Sequence, residues 1–185
     1  MEQKRYMRKA NLIITHLIII LFAVHAVLDS LALLEICFII LKPLARVLFT
    51  LVAVHAVLGF ILMGQTIAGE THSHTFYPVQ NRNFQIRRIS GILLMILIII
   101  HMTGYLTAPV NEFGAPVLSL FSLISNILMV PVLAVHLITN LKPLFLGSGF
   151  KNRTAARIYA ILMSVILLAA AAGFICALII RGVNP

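Results

Sequence analysis

The fourteen basic and five acidic residues of this chain fall in clusters. Between the clusters lie five uncharged stretches, 10–28, 47–69, 89–111, 113–141 and 158–180. A helix rises about 1.5 Å per residue, so about 20 apolar residues cross the hydrocarbon core of a bilayer. Each stretch is close to that length or beyond it. Only 10% of the 185 residues are charged, against about 25% in an average soluble domain. The pattern predicts an all-α, polytopic membrane protein of five transmembrane helices, near 11–34, 43–66, 88–108, 117–146 and 155–181, forming a single transmembrane domain over 1–185. Five spans leave no room for a separate soluble domain, so any soluble catalysis falls to a partner.

The net charge of +9 suggests nucleic acid at first sight. Its distribution points elsewhere. With the N-terminus in the cytoplasm and sides alternating, the inner segments carry Lys4, Arg5, Arg8, Lys9, Arg82, Arg87, Arg88, Lys142, Lys151, Arg153 and Arg157, and the outer ones only Lys42, Arg46 and Arg181. Basic residues concentrate on the cytoplasmic side of membrane proteins, so the expected topology is N-in and C-out in a cell (inner or plasma) membrane. Anionic lipid or an acidic partner surface accounts for any remaining use of the charge.

The punctuation fits five helices. Pro43 suits the first turn of the second helix, where its missing N–H costs nothing. Pro109 and Pro116 bracket a short outer turn, Pro131 is placed to kink the fourth helix, and Gly147-Ser148-Gly149 closes it. Gly69 to Arg88 reads as the longest polar loop, on the inside. The basic start and apolar run of the N-terminus lack a small-x-small cleavage site, so the first helix is expected to stay. Cys37 and Cys176 form no spacing motif and read as small hydrophobes.

Seven histidines remain to be explained, four of them deep in the spans, one per helix: His25, His55, His101 and His136. The first two share the sequence "AVHAVL", and His136 sits in "AVHL". A polar group in a spanning helix is costly and faces the bundle interior. His25 lies 15 residues past Ala10 and His101 lies 13 past Arg88, about 20–22 Å from the inner edge. His55 and His136 each lie eleven residues before an inner helix end, Thr66 and Gly147, nearer the inside. Two pairs at two depths are the layout of two metal centres stacked across a membrane. Bis-histidine haem b takes its axial ligands from opposing helices and fills an apolar gap. Zinc needs further Cys, His or carboxylate ligands at the same depth, and the spacing supplies none. On the fourth helix Ser119, Ser122, Asn126, Met129, Leu133, His136 and Asn140 form one stripe that should face the bundle. His16 lies nine residues before His25, about 180° round the helix, and cannot serve the same centre. His72 and His74 sit in a polar stretch, "ETHSHTF", read as solvated loop.

The stretch "RRISGILLMILIIIHMTGYL" (Arg87–Leu106) resembles a helix of the five-helix dihaem cytochrome b subunits of succinate:quinone and quinol:fumarate oxidoreductases, with its arginine–Ser–Gly start and buried histidine. One histidine on each of four successive helices, followed by a helix without one, resembles the same family over the whole span layout. The resemblance implies a four-helix haem-binding bundle holding two haem b. His25 and His101 would ligate the outer haem, His55 and His136 the inner. Electrons would pass between menaquinone or ubiquinone and an iron–sulfur subunit on the cytoplasmic face, then to a flavoprotein acting on fumarate, succinate or a related acid. The chain departs from the family in its short outer connection, His25 and His55 being only 30 residues apart. Family quinone sites use a carboxylate near the outer haem, for which Asp29 and Glu35 are the candidates. Asp29 lies one turn beyond His25 on the same face, placed to relay quinone protons or to bond in a ligand's second shell. Arg46, Arg87 and Arg88 are candidate partners for haem propionates.

Two alternatives stand beside this reading. One is a cytochrome b anchor of another dehydrogenase, such as a hydrogenase or formate type. Several of those put two histidines on one helix, whereas His16 and His25 face opposite ways. The other is a haem-free transporter or assembly factor with proton-conducting histidines. Such folds show helices broken near mid-membrane, and here only Pro131 qualifies.

Overall fold

In the computed structural model of the chain, residues 2–33, 42–73, 78–109, 116–149 and 152–183 are described. They form five helices: α1 (Glu2–Leu33), α2 (Lys42–Ser73), α3 (Pro78–Thr107), α4 (Leu120–Gly147) and α5 (Arg153–Val183). All five are long and apolar enough to cross a membrane, and no strand occurs among the described residues. Glu35 and Cys37 lie outside the described residues, as does His74.

The helices outrun the apolar spans. Helix α1 begins at Glu2 rather than near Asn11, α2 continues to Ser73, and α3 starts at Pro78 rather than after Arg88. The expected loop from Gly69 to Arg88 is therefore largely helical. Hydropathy marks where a helix enters lipid; it is silent on where the hydrogen-bond ladder stops. Nothing in residues 2–10 breaks a helix, and Pro78 occupies a first turn, where proline is favoured. Helix α4 starts three residues later than expected because Ser119 caps it: with φ −66° and ψ 157°, its hydroxyl accepts the Ser122 N–H at 3.2 Å. At the other end the Ser148 N–H reaches the Leu144 carbonyl, and Gly149 takes the left-handed φ of 75° that stops a helix. The helix runs on through Pro131 and Pro143.

Helix α1 packs against α2 and α5, and α4 packs against α3 and α5. No comparable packing joins α1 to α3 or α2 to α4. Helix α5, which carries no histidine, thus ties an α1–α2 half to an α3–α4 half. It does so with one face, where Met163, Leu167, Ala170, Gly173 and Phe174 are buried at helical spacing. Ala26 and Ser30, buried and one turn apart on α1, meet that face. A Cβ added at Gly173 would lie 3.4 Å from Ser30 Cβ. Small residues at a seam let two backbones approach where lipid supplies no hydrophobic drive. The outward faces are apolar, with Ile13, Ile20, Val57, Phe60, Ile138 and Leu168 exposed, as a lipid-facing surface requires.

The α3–α4 seam rests on Gly104. A Cβ there would overlap the Ser122 hydroxyl and come within 3.1 Å of Ser122 Cβ. Ser122 is itself buried, so it has nowhere to turn. Gly104→Leu is expected to spread α3 from α4 and to cost about 1–3 kcal/mol. Thermal unfolding in detergent checks this, with Gly59→Leu as the control, because nothing lies within 4 Å of a Cβ at Gly59.

Candidate functional site

The gap between the two halves is a cavity of about 1110 Å³. It exceeds the roughly 300–1,000 Å³ of typical ligand pockets. His25, His55, His101 and His136 all line it, one from each of α1 to α4. Its wall is mostly aliphatic and aromatic, with Phe22, Phe49 and Phe174 among the contributors. Lys4, Arg5, Arg8 and Lys9, on the polar first turns of α1, line its other end along with Asn11 and Tyr159.

Towards the C-terminal end of α1, His25 and His101 face each other with ring centroids 6.1 Å apart and planes at 88°. Two imidazoles that ligate one metal from opposite sides hold their nitrogens about 4 Å apart, twice a bond of about 2.0–2.1 Å. Adding the distance from each nitrogen to its ring centre gives a centroid separation of about 6 Å. Asp29 joins them: the ligand atoms of His25, Asp29 and His101 all lie within 4.8 Å of one another. A further ligand is therefore present at this depth, contrary to the expectation from spacing. The reason is the i, i+4 geometry, which stacks Asp29 on the same face as His25. Tyr105 packs on His101 at 4.7 Å, and its buried hydroxyl lies close to Asp29.

His55 and His136 line the same cavity and are close enough to interact electrostatically. His136 packs against the backbone of α3 at Gly91, where a Cβ would sit 3.2 Å from the imidazole Cε1. The Ser90-Gly91 pair of the arginine–Ser–Gly motif thus meets the histidine of the next helix rather than its own.

Three of the four imidazoles have a polar neighbour on another helix. His55 Nδ1 lies 3.2 Å from Thr15 Oγ1, His136 Nδ1 lies 3.2 Å from Ser90 Oγ, and His101 Nδ1 lies 3.1 Å from Asn126 Oδ1. His25 Nδ1 is buried without a partner. Of these neighbours Ser90 stands in the arginine–Ser–Gly motif and Asn126 on the polar stripe of α4, where it is 0% exposed. Nothing in the sequence pairs Thr15 with a histidine forty residues away. His16 points away from the cavity, and both of its ring nitrogens are engaged: Nδ1 with the Leu12 carbonyl at 2.8 Å and Nε2 with Ser148 Oγ at 3.2 Å. It has no nitrogen left for a metal.

The arginines are placed differently from expectation. Arg46, Arg87 and Arg88 do not line the cavity. Arg87 donates to the Asn83 carbonyl, and the Arg88 guanidinium stacks 3.1 Å above the Phe84 ring. The cations at the cavity are those of the α1 start, Lys4, Arg5, Arg8 and Lys9.

Fold and site together define a polytopic helical membrane protein with a histidine-lined internal cavity. Comparison of the chain with family models, with curated proteins and with solved structures gave no match.

Proposed function

We propose that the chain is a membrane cytochrome b subunit that carries electrons between a membrane quinone and an iron–sulfur and flavoprotein partner on the cytoplasmic face. One observation carries the reading: four imidazoles from four helices face one apolar cavity between two helix pairs, two of them at the 6.1 Å spacing of axial ligands. His25 and His101 would hold one haem b, His55 and His136 the other. A bound haem supplies one-electron redox chemistry at its iron. The basic first turns of α1 would supply counter-charge for propionates at the cytoplasmic mouth. Asp29, beside the outer pair, is the group positioned to take a proton from a quinol. Succinate and fumarate chemistry would belong to the flavoprotein.

A second reading rests on Asp29. A carboxylate oxygen within 4.8 Å of both histidine ligand atoms lies inside the radius of a macrocycle placed between them. The outer haem therefore requires the Asp29 side chain to turn out of the gap. Left where it is, it completes a two-histidine, one-carboxylate set suited to a non-haem transition metal. The inner pair has no such competitor among the described residues.

The experiment is spectroscopic. The purified chain is reduced with dithionite, its difference spectrum recorded, and haem and metals counted per polypeptide. Two haems are expected. One haem with one further metal ion supports the second reading. A featureless Soret and α-band region removes haem altogether and leaves a haem-free transporter or assembly factor.

A further inference from the structure

We infer that Thr15, Ser90 and Asn126 are positioning residues that lock three imidazoles in one tautomer, with Nδ1 protonated and the Nε2 lone pair aimed into the cavity. The inference rests on the proposed role of these histidines as ligands and explains how they are held ready for it.

A hydroxyl has one hydrogen to give. The Thr15 hydroxyl gives its hydrogen to the Asn11 carbonyl at 2.7 Å, a group that only accepts. With that shorter bond kept, its oxygen is an acceptor towards His55, and His55 Nδ1 carries the hydrogen of the 3.2 Å contact. Ser90 repeats the device. Its hydroxyl donates to the Arg87 carbonyl at 3.2 Å, which leaves the oxygen to accept from His136 Nδ1. The Arg87 carbonyl, also an acceptor, faces the same ring. Between the same two helices, Asn126 Oδ1 is an acceptor, and His101 Nδ1 donates to it. In the two hydroxyl relays the last acceptor is a backbone carbonyl, which cannot donate, and at Asn126 it is the amide oxygen. A neutral imidazole holding its hydrogen on Nδ1 has a bare Nε2, the form a metal takes.

Each contact stays within one half. Helix α1 orients the histidine of α2, α3 orients that of α4, and α4 orients that of α3. His25 is the exception, its Nδ1 buried and unpartnered. The inner pair is thus locked on both sides and the outer pair on one.

The test is solid-state NMR of the full chain, 15N-labelled at histidine, in lipid nanodiscs before haem is added. The 15N shifts report directly which ring nitrogen bears hydrogen. His55 and His136 are expected in the Nδ1–H form. Thr15→Val and Ser90→Ala are expected to release the partner histidine to a mixture with Nε2–H, with Thr15→Ser and Ser90→Thr restoring the lock. In the haem-loaded protein, removing the acceptor weakens the ligand's donation to ferric iron. The inner midpoint potential should then rise by the equivalent of about a tenfold shift in ferric preference, about 59 mV for one electron. The outer centre should not move. Nε2–H tautomers at His55 and His136 in the wild-type chain overturn the inference, as do Thr15→Val and Ser90→Ala variants with unchanged tautomers. Correct tautomers in a chain that takes up no haem overturn the ligand reading and leave the lock standing.

Discussion

Replacing His55 or His136 by leucine is expected to remove one haem signal completely and leave the other intact. The same loss, of the other signal, is expected from His25→Leu and His101→Leu, while His16→Leu changes neither. An axial ligand has no substitute in an apolar wall, so the effect is all or none at its own centre. The inner pair makes the cleaner test. Leucine is at home in that wall, and when the imidazole goes, Thr15 and Ser90 keep their own bonds to the Asn11 and Arg87 carbonyls. No buried polar group is stranded. His101→Leu is different: it strands Asn126 Oδ1, on a residue 0% exposed, at about 1–3 kcal/mol. A ligand is told from a merely structural histidine by chemical rescue. In His55→Gly or His136→Gly, added imidazole should restore the missing band in the difference spectrum. Loss of both signals from any one leucine variant that still unfolds at the wild-type temperature would break the pairing of His25 with His101 and of His55 with His136.

That pairing shows how far the residues alone reach. Five helices follow from charge placement, because hydrocarbon admits almost no unpaired charge and the gaps between clusters measure its thickness. The meeting of His25 with His101 follows from counting residues from an inner edge, since helical rise is constant. What counting leaves out is rotation and partner choice. Depth puts Asp29 one turn from His25; only the fold shows that it also reaches His101. The arginine–Ser–Gly start of α3 is visible as a string, but that its serine and glycine receive the histidine of α4 depends on how α3 and α4 rotate against each other. The helical first turns of α1 were hidden for another reason. A charged amphipathic segment looks the same to a hydropathy count whether it is coil or helix, so the position of these cations at the cavity depends on α1 beginning at Glu2.

The outer centre turns on Asp29, and Asp29→Asn separates the two readings of it. Asparagine keeps the size and the acceptor oxygen but loses the charge and the ability to take a proton. If the carboxylate serves quinol oxidation, haem content and both difference bands stay at wild-type levels. Quinol-driven haem reduction then slows by about 10²–10⁴-fold, the usual worth of a placed general base. If instead the carboxylate ligates a non-haem metal with His25 and His101, the variant loses that metal, and the inner haem is reduced by dithionite as before. Tyr105→Phe serves as the control. The Tyr105 hydroxyl is buried beside Asp29, so Tyr105→Phe removes the hydroxyl and keeps the ring that packs on His101. A Tyr105→Phe chain that reduces its haem at the wild-type rate, beside an Asp29→Asn chain that does not, assigns the proton to the carboxylate. Slowing by both variants together would make the proton's path run through the tyrosine hydroxyl and the carboxylate in series.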